Sequence, residues 1–181
     1  MAWVAGFFYY ELAHPKGSNS DSCIGEKCFH QAGYSLKEGD TVWLKLPYGD
    51  FSIEEGNQPI VLIAGGTGIS PFLSYLDFCV DNQTQEISPI SLYYGVKNSS
   101  YILFEEKFAA YSQMPHFKTT VYLEEGESGQ NVAGRLNIEH IYSQNKESVF
   151  YLSGPLAMID AFKAYLVEQG VETERIRIDE W

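Results

Sequence analysis

The sequence PIVLIAGGTGISPFLSYL, residues 59–76, joins an uninterrupted apolar run to a glycine-rich turn and then to residues with helical spacing. The apolar run over residues 60–64 is typical of a strand that is buried on both faces of a parallel sheet. Ser70 suits the N-cap of a helix and Pro71 its first turn, which predicts a helix over residues 71–80. The stretch therefore predicts a strand, a glycine-rich turn and a helix in direct succession, the unit from which α/β folds are built.

Further strands and helices are expected to alternate after this stretch. The apolar patterns predict strands over residues 90–94, 119–123, 148–152 and 175–178, and helices over residues 104–112, 138–142 and 156–169. The second strand begins about thirty residues after the first, which is the length of a βαβ unit. The predicted fold class is therefore α/β, with a doubly wound parallel sheet.

The residues before this region differ in composition and in the pattern of polar and apolar residues. Aromatic pairs occupy residues 7–10, a Gly/Ser/Asn-rich stretch follows at 17–25, and polar and apolar residues alternate over 41–46. Such patterns predict short β-strands joined by loops. The polar segment EEGNQP, residues 54–59, is the natural linker. We therefore predict two domains, a β domain over residues 1–56 and an α/β domain over residues 57–181.

Charge and composition exclude several functions. The chain has 12 basic and 24 acidic residues and no basic patch, so we expect no nucleic-acid partner. Its longest uncharged opening run, residues 2–10, is too short to span a membrane. We therefore expect a soluble, cytoplasmic protein with no membrane partner. Three cysteines and four scattered histidines favour reduced thiols and no metal site.

Three glycine-containing turns are expected at one edge of the predicted sheet, where open parallel sheets bind their ligands. Glycine lets the backbone approach a pyrophosphate closely, and a helix N-terminus faces its charge. A single such glycine is more often a structural turn, but three at the same edge favour a nucleotide-binding cleft. The candidate cofactor-binding residues are Gly65, Gly66, Thr67, Gly68, Ile69, Ser70 and Pro71 after the first strand, Gly95 and Val96 after the second, and Gly154, Pro155 and Met158 after the fourth.

Five segments, in order along the chain, carry a resemblance to a known family. They are GDTVWLKLPYGDF (39–51), PIVLIAGGTGISPFLSYL (59–76), LYYGVKN (92–98), VFYLSGPLAMIDAFKAYL (149–166) and RIRIDEW (175–181). Together they resemble the ferredoxin–NADP⁺ reductase superfamily, especially its cytochrome-b5-reductase-like and flavodoxin-reductase-like members. The resemblance implies a nicotinamide-binding α/β domain after a flavin-binding β-barrel. It also implies hydride transfer from NAD(P)H to FAD and onward electron transfer to a protein or small-molecule acceptor.

The same resemblance implies how the nucleotide would be held. Residues 66–68 and Pro71 would form the loop at the pyrophosphate and the nicotinamide side. Gly154 and Pro155 would pass under the nicotinamide. Met158 would lie near the cofactor at the start of the last helix, although a core-facing helix residue is an equal alternative.

Two candidate catalytic residues also follow from the resemblance. Ser153 occupies the position where the family often has a cysteine beside the reacting carbon, and a serine hydroxyl can still donate a hydrogen bond there. Trp181 would be the aromatic terminus that covers the flavin ring in some members. The alternative for Trp181 is an exposed chain end.

The choice between the two nicotinamide coenzymes depends on charge. Where NADPH-using members of the family place Ser-Arg after the third strand, this chain has Glu124 and Glu125. A carboxylate accepts hydrogen bonds from a ribose diol and repels a phosphate, which favours NADH. Lys97 and Arg135 leave a phosphate site, and therefore NADPH, as the alternative.

The resemblance is incomplete before residue 54, because a whole flavin barrel needs about twice the residues available there and the Arg-x-Tyr-Ser/Thr flavin strand is missing. We therefore predict only the later half of the barrel. A flavin-pyrophosphate loop is predicted, with a surface loop as the alternative, at Gly17, Ser18, Asn19 and Ser20. A second hypothesis follows: a dinucleotide-binding module without its own flavin, completed by a partner chain or a homodimer.

Overall fold

The computed structural model describes residues 51–54, 56–81 and 88–179, together with the backbone of three short strands nearer the start of the chain. These are β1 (Ala2–Val4), β2 (Tyr9–Glu11) and β3 (Trp43–Lys45). Strand β1 pairs antiparallel with β4 (Ser52–Glu54), and β2 pairs antiparallel with β3. The chain divides into two compact units, Gly6–Gly49 and a larger unit of Met1–Ala5 and Asp50–Trp181.

The larger unit includes Met1–Ala5 and residues 50–56, whereas the sequence predicts a first domain over residues 1–56. Burial of β4 explains the difference. Ile53 is fully buried, and the ring of Phe51 lies 6.1 Å from that of Phe72 and 5.9 Å from that of Tyr151. These apolar contacts hold β4 on the α/β core, although the polar residues after it suggested a boundary. The predicted half-barrel otherwise lies largely outside the described residues.

A six-stranded parallel sheet forms the centre of the larger unit. Its strands are β5 (Ile60–Gly65), β6 (Ile90–Val96), β7 (Phe117–Leu123), β8 (Val132–Ala133), β9 (Val149–Ser153) and β10 (Ile176–Ile178). The helices are α1 (Ser70–Asp81), α2 (Glu105–Tyr111), α3 (Ile138–Gln144) and α4 (Leu156–Glu168). The predicted α/β class with a parallel sheet is confirmed.

Strand β5 lies in the middle of the sheet and is buried on both faces. Leu62 and Ala64 belong to the core cluster under α1 and α2, whereas Val61 and Ile63 belong to the cluster under α3 and α4. Successive side chains of a strand point to opposite faces, so helices on both faces require apolar residues throughout the strand. The doubly wound arrangement is therefore confirmed, and it explains the continuous apolar run.

The strand order, β10-β9-β5-β6-β7-β8, places a topological switch point between β5 and β9. The chain runs from β5 outward through β6 and β7, and then returns to β9 on the other side of β5. Open parallel sheets bind ligands at such a point, outside the carboxyl ends of the strands. The pairing register sets Gly65 beside Gly95 and Ala64 beside Ser153. The three predicted turns therefore begin next to one another at the carboxyl edge of the sheet.

Some details differ from the sequence-based expectations. Strand β8 was not predicted, because it has only two residues and both are exposed. A 3₁₀ turn, Gly66–Ile69, leads directly into α1, which begins at Ser70. Ser70 is therefore helical, and its hydroxyl donates a hydrogen bond to the carbonyl of Thr67 at 2.9 Å. The prediction that Ser70 is an N-cap is wrong, since the 3₁₀ turn already supplies the start of the helical segment.

Candidate nucleotide-binding site

The turn after β5 and the turn after β9 touch each other backbone to backbone at the switch point. A Cβ added at Gly68 would lie 2.5 Å from the carbonyl carbon and oxygen of Ser153 and 2.6 Å from the amide nitrogen of Gly154. Real Cβ atoms do not approach other atoms so closely. Only glycine at position 68 therefore allows the two turns to meet.

The turn after β9 also needs a glycine for this close approach. Gly154 has a φ of +146°, and a Cβ there would lie 2.9 Å from the amide nitrogen of Gly65. Gly65 in turn makes room for the loop after β9, because a Cβ on it would lie 2.8 Å from Cδ of Pro155 and 3.0 Å from Sδ of Met158. Met158 therefore packs against the candidate cofactor-binding turn at the switch point.

Gly66 is different from these glycines because its open side faces no protein atom among the described residues. Its φ is +57°, a left-handed conformation that favours glycine, and nothing lies within 4 Å of a Cβ added there. The neighbouring Thr67 is exposed, whereas Gly68, Ile69 and Pro71 are buried. The first amides of a helical segment have no partner within it and carry partial positive charge. This end of the segment can therefore accept an anionic group such as a phosphate.

The glycine after the second predicted strand has a packing role. A Cβ on Gly95 would lie 2.8 Å from Cγ and Cδ1 of Leu136, so the Leu136 side chain covers this part of the edge. The neighbouring Val96 is buried. Leu136 was not among the predicted site residues, because nothing local in the sequence connects it with Gly95.

Ser153 is fully buried, and its hydroxyl donates a 2.9 Å hydrogen bond to Oδ2 of Asp179. Asp179 follows β10 at the same edge, and its backbone amide donates to the carbonyl of Leu152 at 2.9 Å. The single hydroxyl proton of Ser153 is thus used in the hydrogen bond to Asp179, which leaves only its lone pairs for any other partner. Asp179 is not among the residues predicted from the sequence, although an acidic residue directly after the last strand was an available signal.

The stability of this buried pair is expected to depend on pH. Burial raises the pKa of Asp179 above its ordinary value of 3.8, and the Ser153 hydrogen bond partly offsets the shift. The folded chain then binds more protons than the unfolded chain, so this group's contribution to stability decreases as pH rises from about 4 through the raised pKa. We expect Asp179→Asn, which does not ionise, to show a smaller decrease than the wild type. Urea unfolding at several pH values measures the difference.

The complementary variant is Ser153→Ala, which removes the hydrogen bond that favours the ionised carboxylate. It should raise the pKa of Asp179 further and extend the decrease in stability to higher pH. Identical pH profiles for the wild type and both variants would contradict the assignment.

Charged side chains follow β6 and β7 at the same edge. Arg135 Nε lies 3.0 Å from Oε2 of Glu124, and Lys97 Nζ lies 3.6 Å from Oε2 of Glu125. The sequence singled out these four residues, and the structure brings them together as two exposed ion pairs. Trp181 and the predicted flavin loop of residues 17–20 lie outside the described residues.

Two further observations concern the described part of the chain. No helix there is long and apolar enough to cross a membrane. Within the same residues, no group of three His, Cys, Asp or Glu side chains is arranged to hold a metal ion.

The fold and the glycine-lined switch point define an α/β nucleotide-binding domain. Residues 62–164 match the family model of the oxidoreductase NAD-binding domain, and the chain belongs to this family. The match confirms the resemblance to the ferredoxin–NADP⁺ reductase superfamily.

Two curated relatives illustrate the similarity. The flavohemoprotein of Deinococcus radiodurans is 30% identical over 150 residues, which are 78% of this chain and 37% of the relative. The anthranilate 1,2-dioxygenase electron transfer component of Acinetobacter baylyi is 33% identical over 138 residues, which are 74% of this chain and 39% of the relative. The chain thus spans about two fifths of the length of these relatives.

Solved structures show the same fold. The flavohem-like FAD/NAD-binding domain of nitric oxide dioxygenase from Vibrio cholerae matches with a TM-score of 0.74 at 23% identity, covering 92% of this chain and 68% of that chain. The cytochrome b5 reductase domain of Ulva prolifera nitrate reductase matches with a TM-score of 0.69 at 22% identity, covering 83% and 63%. At these identities the similarity establishes the fold alone.

Proposed function

We propose that this chain binds a nicotinamide dinucleotide across the carboxyl edge of its sheet and aligns it for hydride transfer to FAD. The observation that carries the proposal is the open, left-handed Gly66 at the switch point between β5 and β9. A pyrophosphate can approach the backbone there without meeting a side chain, and the helical segment behind it favours negative charge. The residues present therefore fit a dinucleotide.

The chain's own contribution is to position the reactants. The turn after β5 holds the phosphates, and the turn of Gly154 and Pro155 lines the crevice for the nicotinamide. Ser153 offers only its lone pairs to a bound nicotinamide, because its hydroxyl already donates a hydrogen bond to Asp179. When bound, the flavin supplies the ring that accepts the hydride and passes electrons onward. Hydride transfer itself needs no general acid or base, so the proposal assigns none.

The onward acceptor is proposed by analogy with the relatives. Their names include dioxygenase electron transfer components and a propane monooxygenase reductase component. We accordingly propose that electrons leave to a partner protein or a small-molecule acceptor. Trp181 as the flavin cover and residues 17–20 as the flavin-pyrophosphate loop belong to the same proposal.

The test is a flavin-retention and bleaching experiment. The purified chain is incubated with excess FAD, freed of unbound flavin, and mixed with NADH or NADPH in the absence of oxygen. We expect the chain to retain FAD and the retained FAD to lose its visible absorption, because the reduced coenzyme donates a hydride to it. NAD⁺ is the matched control, since it has the same binding groups but no hydride to give.

Two results would contradict the proposal in different ways. Retained flavin that neither reduced coenzyme bleaches would refute the alignment of the two rings. Binding of NADH by calorimetry without any retained flavin would favour the second hypothesis, a dinucleotide-binding module that requires a partner chain or a second copy to complete its flavin site.

A further inference from the structure

A small cavity opens at the amino edge of the parallel sheet, at the other end of the strands from the candidate nucleotide-binding site. Its apolar wall is formed by Ile60 and Val149, the first residues of β5 and β9. Its polar side includes Glu54, Tyr151 and Arg177, and its volume is about 110 Å³. An apolar cavity of about 150 Å³ holds benzene, so this one has room for a molecule of about five non-hydrogen atoms.

The strands of the sheet hold the lining groups in place. Arg177 of β10 lies beside Tyr151 of β9, and Val149 of β9 lies beside Ile60 of β5. Tyr151 and Ile60 belong to one core cluster, so the cavity lies on the face of the sheet that α1 covers. A cation, a hydroxyl and an apolar wall therefore come from three neighbouring strands, which position a ligand more precisely than loops do.

The guanidinium of Arg177 has hydrogen-bond donors to spare. Its Nη2 contacts the carboxylate of Glu54 at 3.4 and 3.5 Å, and neither Nε nor Nη1 has a hydrogen-bond partner among the described residues. Strong charge-assisted hydrogen bonds are shorter, about 2.7–2.9 Å. The side chain of Glu54 is also 58% exposed, and exposed ion pairs contribute little stability. Glu54 can therefore turn into water and leave Arg177 to another anion.

The hydroxyl of Tyr151 is a second available donor. It accepts a 3.2 Å hydrogen bond from the backbone amide of Glu54, and its own proton has no acceptor within the described part of the chain. Burial raises the pKa of Tyr151 above its ordinary value of 10.0, so the hydroxyl keeps this proton at neutral pH. Two neighbouring groups thus offer donors to the same cavity, which favours a negatively charged ligand.

We propose that this cavity binds a short aliphatic monocarboxylate. The carboxylate of the ligand takes the place of Glu54 on the guanidinium of Arg177, where two parallel hydrogen bonds can form, and it also accepts the hydroxyl of Tyr151. The alkyl chain of the ligand packs against Ile60 and Val149. This inference goes beyond the proposed function and does not depend on it, because the cavity and the nucleotide-binding turns lie at opposite edges of the sheet.

The test is calorimetric titration of the full chain with sodium propionate at constant ionic strength. We expect saturable binding at one site per chain. Propionamide is the matched control ligand, since it has nearly the same shape and no charge, and it should not bind. Formate should bind about threefold more weakly than propionate, because it has no alkyl group to bury against the apolar wall.

Four variants assign the binding to this cavity. Arg177→Gln should weaken propionate binding about tenfold or more, and Tyr151→Phe about fivefold, because each removes a donor to the carboxylate. Glu54→Gln should strengthen binding about threefold, since it removes the competing carboxylate. Lys163→Gln removes a positive charge from an exposed position on α4 and should leave the affinity unchanged. Circular dichroism shows whether each variant is folded.

The gain expected for Glu54→Gln keeps the test decisive even if loss of Arg177 weakens the fold. Weaker binding in Glu54→Gln would refute the proposed exchange of carboxylates on Arg177. The proposal also fails if propionate does not bind, if propionamide binds equally well, or if folded Arg177→Gln binds propionate like the wild type. These outcomes leave the proposed function untouched, because it is tested with FAD and the reduced coenzymes.

Discussion

Replacing Gly68 with alanine is expected to lower the free energy of unfolding by about 3 kcal/mol, the upper part of the range for overpacked sites. The added Cβ would lie 2.5 Å from the carbonyl atoms of Ser153 and 2.6 Å from the amide nitrogen of Gly154. Both neighbours are backbone, so no side-chain rotation can relieve the clash. Urea unfolding of the full chain, followed by circular dichroism, measures the loss.

The matched control lies two residues earlier in the same turn. Gly66 has a φ of +57° and open space around an added Cβ, whereas Gly68 is not among the positive-φ residues. Gly66→Ala therefore tests backbone strain without a clash and should cost about 1 kcal/mol, while Gly68→Ala tests a clash without left-handed strain. Equal, small losses for both variants would refute the close contact between the two turns.

The order of strands and helices could be predicted because it depends on local patterns. Apolar runs such as residues 60–64 and helical spacing such as that of residues 71–80 report which faces an element must bury. Strand β8 could not be predicted, since its two exposed residues carry no apolar pattern. The packing of β4 on the α/β core could not be predicted either, because Ile53 is buried and Phe51 is partly buried by residues far along the chain.

The location of the candidate site could be predicted more fully than its contacts. Glycines after successive strands indicated the carboxyl edge, but they did not indicate which glycine faces a ligand. That distinction depends on partners distant in sequence: Ser153 beside Gly68, and Leu136 against Gly95. Among the candidate glycines that the structure describes, only Gly66 combines a left-handed backbone with open space.

The hydrogen bond between Ser153 and Asp179 shows the same limit for polar groups. The two residues are 26 positions apart and meet because β9 and β10 are neighbours in the sheet. A serine hydroxyl can both donate and accept hydrogen bonds, and only the fold decides which of the two it does. The sequence alone therefore allows the Ser153 hydroxyl to donate a hydrogen bond to a cofactor, whereas in the folded chain it donates to Asp179.

Replacing Gly66 with valine is expected to weaken NADH binding about 30-fold or more. The side chain would fill the open space through which a pyrophosphate approaches the backbone. Loss of a charge-assisted hydrogen bond from a backbone amide costs about 1.5–3 kcal/mol, and each 1.4 kcal/mol is a tenfold change in affinity. Calorimetric titration of the folded variant with NADH measures the effect.

The strain that valine introduces needs its own control, and Gly170 provides it. Gly170 follows α4, has a φ of +82° and has open space around an added Cβ, so Gly170→Val imposes comparable strain. It lies between α4 and β10, and therefore at the amino edge of the sheet, opposite the candidate site. Gly170→Val should lose stability like Gly66→Val but bind NADH like the wild type. If both valine variants bind NADH equally well, the ligand does not approach through Gly66, and the nucleotide must be held elsewhere along the edge.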